Sequence, residues 1–240
     1  MLEKKQFANG TGYCCDVFDE DLFKELEEYK LLIADPPYGG IVSDNWDRSW
    51  TWENYIKLAE LCEDLLCNGG SAYIWGGIGT KHNRQFFKFL SEVEEQTSLT
   101  LKNVITWNKK RAYGKKDDYL FTREEIAWLV KGDKPLVFNI PLLNEKRGYD
   151  GYDKKHPAKS EYKRRTNVWT DITEILRGKT HKCEKPKRLS EIMVETHTNL
   201  GDTVLDLFAG TANVSKVADK LGRKFVFVEG HKPTFDKINI

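Results

Sequence analysis

The chain has 240 residues, 40% of them hydrophobic, 12% aromatic and 31% charged, with a formal net charge of +1. That apolar content suffices for the core of one large α/β domain, and the balance of charge excludes a protein that is basic all over. The N-terminal stretch MLEKKQFANG has no apolar signal region and no run is long enough to span a membrane, so a cytoplasmic protein is expected.

In chain order, Leu31 to Ala34 is a short apolar run that stops at Asp35-Pro36-Pro37, where proline cannot continue a central strand. Residues 52–67 carry apolar side chains at helical spacing, and Asn68-Gly69-Gly70 is expected to end that helix. Ser71–Trp75 reads as a buried strand, 82–95 as a helix, Leu101–Trp107 and Glu124–Val130 as strands. The pattern weakens from Asn139 to His181 and returns as helix 188–196, strand 203–208, helix 214–221 and strand 224–229. Strands alternating with helices predict a doubly wound, mostly parallel sheet with helices on both faces.

Two segments carry chemistry. In the first, Asp35-Pro36-Pro37-Tyr38 follows a strand directly, at the end where open α/β sheets bind ligands. An exocyclic amine on an aromatic base is a poor nucleophile, because its lone pair is delocalised into the ring. A carboxylate (Asp35) and a rigidly held carbonyl (Pro36) can each accept one N–H and turn that lone pair outward. Pro37 stiffens the turn, and Tyr38 offers a face for a flipped base. The plainer alternative is a proline-stopped strand with an ordinary turn.

In the second, Thr203 to Glu229, a strand bearing Asp206 runs into Phe208-Ala209-Gly210-Thr211 and a helix, and the next strand ends in Glu229. Small residues at the turn admit a ligand to the backbone, and the acid can take both hydroxyls of a ribose. Gly-x-Gly-x-x-Gly is absent, so a pyrophosphate has no cradle, which favours S-adenosylmethionine over a dinucleotide. An ordinary β-α-β crossover is the alternative here.

Together these segments resemble the DNA amino-methyltransferases, and their order, catalytic motif first and cofactor motif last, resembles the circularly permuted beta class. Tyr13–Phe18, Asn68–Gly77, Trp107-Asn108-Lys109, Arg123–Trp128, Asn167-Val168-Trp169 and His181–Pro186 are similar to further elements of that family in the family order. The resemblance implies a Rossmann-like methyltransferase fold. It implies a cofactor set of Asp16 and Val17 near the adenine, Lys185, Asp206, Phe208 to Thr211, and Glu229. It departs from the family at Ala212, where a second glycine is usual, and at Lys182-Cys183, where Pro-Thr is usual.

The segment Glu145–Arg188 holds fourteen Lys and Arg against seven Asp and Glu, a net of +7 on a chain of net +1. Lys163, Arg164 and Arg165, with Lys109, Lys110 and Arg111 in a Gly-containing loop, are the candidate contacts to double-stranded DNA phosphates. Solvated surface charge is the alternative for each of them. The expected organisation is a catalytic part at 1–138, an embedded target-recognition region at 139–180, and a cofactor part at 181–240. The five cysteines form no Cys-x-x-Cys pair, so a reducing compartment and no structural metal are expected. A homodimer and a cognate restriction nuclease are the expected partners. Asp-Pro-Pro-Tyr is commoner among the family's adenine enzymes. Cytosine N4 methylation, RNA as substrate, and an inactive nucleic-acid-binding relative are the alternatives.

Overall fold

A computed structural model describes residues 2–38, 50–77, 79–148, 151–153, 156–157, 160–175 and 184–240, with backbone alone at 79–82, 151–153 and 156. In chain order the elements are β1 (Glu3–Phe7), β2 (Gly10–Cys14), α1 (Glu20–Phe23), β3 (Tyr29–Ala34), α2 (Trp52–Leu65), β4 (Leu66–Trp75) and α3 (Gly79–Gln96). The long strands β5 (Leu99–Tyr113) and β6 (Phe121–Lys131) follow, then the short β7 (Leu142–Lys146), β8 (Gly151–Asp153), β9 (His156–Pro157), β10 (Tyr162–Arg164) and β11 (Val168–Trp169). The chain continues through α4 (Lys187–His197), β12 (Thr203–Asp206), α5 (Asn213–Lys220), β13 (Lys224–Val228) and α6 (Lys232–Phe235).

The main sheet runs β1-β2-β13-β12-β3-β4-β6-β5-β11. From β2 to β4 every neighbouring pair is parallel, whereas β1, β6 and β5 join antiparallel. The central strand is buried on both faces, as its unbroken apolar run requires. Leu32 and Ala34 meet Tyr55, Leu58, Phe86 and Phe89 of α2 and α3. Leu31 and Ile33 meet Leu189, Met193 and Val217 of α4 and α5. Helices therefore cover both faces.

Two sequence readings are corrected. The helix over 52–67 ends at Leu65, and the chain passes at Leu66 straight into β4. Gly69 (φ +78°) sits inside that strand, at a shift of its register with β3, and Gly70 approaches the Tyr29 carbonyl too closely for any Cβ. The glycines thus serve a strand irregularity rather than a helix stop. Of the basic run from Lys109 to Lys116, residues up to Tyr113 form the outer half of β5, with Lys109 turned inward to carboxylates, and only Gly114, Lys115 and Lys116 lie in the loop that follows.

That extension sets the geometry of one edge. Ala34 pairs with Ile74, and Ile74 with Ala127, so these residues are level. From Ala127 to the start of β6 at Phe121 is about 20 Å at 3.3 Å per residue. The β5–β6 hairpin therefore stands above the carboxyl ends of β3 and β4. Within 139–175, β7 pairs with β10, and β11 lies parallel on β5, which ties this segment to the far side of the sheet.

Candidate active site

One cavity of about 440 Å³ opens at the carboxyl ends of the parallel strands. Asp35 to Tyr38 line it from β3, Asp206 and the 208–211 turn from β12, Glu229 from β13, and Asp16 and Val17 from the loop after β2. Lys185 lines it from the segment before α4. The structure thus gathers the catalytic and cofactor candidates into one space, although they are spread over nearly the whole chain.

Local structure aims each group. Glu229 accepts hydrogen bonds from the backbone N–H of Gly210 (2.7 Å, to Oε2) and of His231 (2.8 Å, to Oε1). Each oxygen keeps lone pairs for a further donor, and the carboxylate is fixed in direction. Burial raises the Glu229 carboxyl above its ordinary range, while those two N–H groups oppose the rise. Burial pushes Asp206 up to about 8; the Phe208 N–H opposes this, and the nearby Glu229 and Asp35 add to it. Asp16 Oδ1 accepts the Phe18 N–H at 2.9 Å, closing a tight turn that presents the loop to the cavity.

Asp35 is held from two sides. The Tyr38 hydroxyl donates to its Oδ1 at 2.5 Å. Lys185 Nζ donates to Oδ1 at 2.9 Å and to Oδ2 at 2.6 Å, and reaches the Tyr38 hydroxyl at 3.1 Å. Burial and the Asp35 charge hold the Tyr38 phenol well above its usual range, so it stays neutral. Behind Lys185 lie Glu124 (3.4 Å), then Lys109 (2.9 Å from Glu124), then Glu174 (3.3 Å from Lys109). Asn213 at the start of α5 donates to the Lys185 carbonyl at 3.1 Å and to Glu184 at 3.0 Å, which pins the Lys185 backbone.

Residues that sequence reasoning missed also face the cavity. Trp50 stacks on Phe18 with ring centres 6.3 Å apart and meets Phe208 edge-on at 5.8 Å, making an aromatic wall. Trp75, Ser190 and His231 line it as well. A tryptophan before a helix start carries no motif, so only the fold discloses Trp50. Glu124 lay inside a recognised element but had no chemical partner until Lys185 was placed beside it.

The nucleic-acid candidates divide. Lys110 and Arg111 are exposed on the overhanging hairpin, and Arg164 is exposed on β10. Lys163 is partly exposed and paired with Glu145. Lys109 is only 5% exposed, and its ammonium is surrounded by Glu124 and Glu174. Arg165 forms a two-pronged pair with Asp171 (2.7 and 2.8 Å) over the Trp169 ring, with a side chain 3% exposed. Both cations are consumed inside the protein, so the expectation of phosphate contacts at these two positions is withdrawn. Tyr149, Lys154, Lys155, Lys159 and His181 to Cys183 lie outside the described residues. Among the described residues no group of three or more His, Cys, Asp or Glu gathers at metal-binding range, and no helix is long and apolar enough to cross a membrane.

The lining suits some ligands and not others. Asp16, Asp35, Glu184, Asp206 and Glu229 put carboxyl groups around the space, a donor set that repels a pyrophosphate and accepts a cation or a diol. An adenosine carrying a positively charged side arm fits this set.

The architecture is that of solved DNA methyltransferases. It matches the cytosine-N4-specific PvuII DNA methyltransferase with a TM-score of 0.71 at 17% identity, over 94% of this chain and 83% of that one. It matches the M1.HpyAVI–SAM complex at 0.63 and 21% identity, over 94% and 95% of the two chains. The family model described as DNA methylase, of the N6/N4 type, covers residues 29–239, and the chain belongs to that family, the DNA amino-methyltransferases. Among curated relatives it is 28% identical to the type II methyltransferase M.BamHI of Bacillus amyloliquefaciens, over 87% of this chain and 52% of that protein. It is 28% identical to M2.DpnII of Streptococcus pneumoniae, over 88% of this chain and 83% of that protein. It is also 28% identical to the DNA adenine methyltransferase YhdJ of Escherichia coli K12, over 85% and 72%. The chain thus spans about half the length of M.BamHI and most of the other two.

Proposed function

We propose that this chain transfers a methyl group from S-adenosylmethionine to the N6 amine of adenine in double-stranded DNA. The observation that carries the reading is Asp35: its carboxylate ends the central strand and lines the same cavity as Glu229 and Asp16. In this reading Glu229 takes the ribose hydroxyls, the loop at Asp16 and Val17 borders the adenine of the cofactor, and Trp50 and Phe18 wall it. S-adenosylmethionine supplies an electrophilic methyl. Asp35 and the Pro36 carbonyl accept the two N–H groups of the target amine and so direct its lone pair across the cavity. Tyr38 stacks on the extruded base. The basic stretch 145–188 and the hairpin above the site serve the duplex, with 139–180 as the recognition region. Adenine is supported by the Asp-Pro-Pro-Tyr motif and by the name of the E. coli relative. The type II names of other relatives support a role beside a restriction nuclease.

The test is modification-sensitive sequencing of DNA from cells expressing the wild type and Asp35→Ala. N6-methyladenine at a defined sequence is expected, with the purified variant slower by about 10² or more. N4-methylcytosine instead would move the target base and leave the mechanism intact. Wild-type turnover in Asp35→Ala would falsify the mechanism itself.

A further inference from the structure

Asp35 has a conflict to resolve. In the proposed reaction it must accept an N–H from the target amine, yet both of its oxygens take hydrogen bonds from Lys185, and Oδ1 takes a third from Tyr38. The ammonium is also badly placed for the chemistry, because the amine becomes positively charged as the methyl arrives, and a fixed cation beside it opposes that change.

Glu124 answers both difficulties. It lies on β6, three residues beyond the level of Ala34, and is 2% exposed. Its Oε1 accepts from Lys109 at 2.9 Å. Its Oε2 is buried and accepts no hydrogen bond among the described residues, while Lys185 Nζ lies 3.4 Å away. A buried carboxylate oxygen without a donor is costly and calls for an explanation. Here the missing donor is one short movement of Lys185 away. The same side chain is thus hydrogen-bonded to one carboxylate and poised beside a second.

We infer that Glu124 is a positioning residue that receives Lys185 from Asp35 when the target base enters. Before the base arrives, Lys185 holds Asp35 correctly turned. As the amine takes its place on Asp35, Lys185 swings onto Glu124 Oε2. Its charge then moves away from the reacting nitrogen and is neutralised where it comes to rest. Lys109 holds Glu124 in place from β5 and is itself paired with Glu174, which accepts from the Tyr113 hydroxyl at 2.7 Å. No covalent step is involved. The inference rests on Asp35 being the acceptor of the target amine.

Single-turnover methylation of a duplex substrate tests it with Glu124→Gln, Glu124→Asp, Lys185→Met and the double variant Glu124→Gln/Lys185→Met. Glu124→Gln should slow methyl transfer by about tenfold or more, with the Kd for cofactor and for DNA within about twofold of wild type. With Lys185 already replaced, the same change should cost less than about twofold, because its effect runs through the ammonium. An unchanged rate in Glu124→Gln overturns the handover, as does an equal loss in both backgrounds. If thermal melting shows that Glu124→Gln does not fold, Glu124→Asp decides. It keeps the charge but draws it back by about one carbon–carbon bond, so a wild-type rate there overturns the inference. Asp35→Asn in the same assay separates the two readings: a wild-type rate in that variant removes the role of Asp35 itself, whatever Glu124 does.

Discussion

At the scale of single residues, Asp206 gives a pH dependence with a definite sign. Its carboxyl, pushed up to about 8 chiefly by burial, is mostly protonated at neutral pH. A cationic ligand in the same cavity favours the ionised form, so binding should expel a proton below pH 8. Affinity for S-adenosylmethionine should therefore rise with pH until about 8 and level off above it. Calorimetry in two buffers of different ionisation enthalpy measures the release, and Asp206→Asn should abolish most of it. Equal apparent enthalpies for the wild type in both buffers would contradict the assignment. That Asp35, Glu229 and Asp16 would share one cavity was legible, from side-chain type for the first two and from the family resemblance for Asp16. The roles of Glu124 and Lys109 were illegible, since they depend on distances between residues far apart in sequence. Ala212 shows the same limit in the backbone. It adopts φ +57° and ψ +38° at the start of α5, so the position does favour the glycine usual in the family. Its methyl is fully buried beside α4 and α5, which offsets part of that strain.

At the scale of elements, the exposed candidate contacts to DNA sit on the β5–β6 hairpin (Lys110, Arg111) and on the β7–β10 pair (Arg164). Lys110, Arg111, Lys115 and Lys116 all project into solvent from the hairpin. Each one that meets a phosphate adds about 0.9 to the slope of log K against log salt. Replacing all four by Ala should weaken DNA binding and flatten the slope by up to about four units. Arg165→Ala should instead lower the melting temperature and leave the slope alone, since its guanidinium is committed to Asp171. Superimposable salt lines for the hairpin variant would remove it from the interface. The hydrophobic period gave the existence of β3, β4, α2 and α4, whose buried faces write themselves into the sequence. It gave neither β1, an exposed edge strand with little apolar face, nor the outer half of β5, where an ion pair replaces an apolar contact.

At the scale of the whole molecule, a buried polar cluster between β4 and α4 couples stability to pH. His197 Nδ1 lies 3.0 Å from the Val137 carbonyl and 3.1 Å from Ser71 Oγ, and Nε2 lies 2.8 Å from the Tyr73 hydroxyl. A proton on Nδ1, donated to the carbonyl, leaves Nε2 to accept from tyrosine, so the ring is neutral. Burial holds its pKa down at about 4, against 6.5 for an ordinary histidine. Between those values the unfolded chain binds more protons, so this contribution is complete above pH 6.5 and is lost as pH falls to 4. Asp206, raised rather than lowered, slopes the other way. Comparing the wild type with His197→Gln cancels it. The stability gap between the two, from urea unfolding, should widen by about 3 kcal/mol from pH 4 to pH 6.5 and then stay constant. A gap independent of pH would show that the imidazole is not held neutral. The alternation of strands and helices in the sequence foretold the central sheet, but not this cluster, whose members come from β4, α4 and the turn before β7.

The pairing of β3 with β12 joins Leu31 to Val204, so the middle of the sheet is closed by segments about 170 residues apart. On a ribosome, β3 and β4 emerge with one long flank bare, and the strand that covers it is made about 170 residues later. The β1–β2 hairpin waits too, since β13 is its attachment to the rest. Synthesis at about 5–20 residues per second leaves this apolar edge unpaired for roughly ten seconds or more. Such long-range closure makes for slow folding and an aggregation-prone intermediate. The arrangement that lets distant residues meet in one cavity also leaves the nascent chain with an apolar edge to shield until β12 and β13 have emerged.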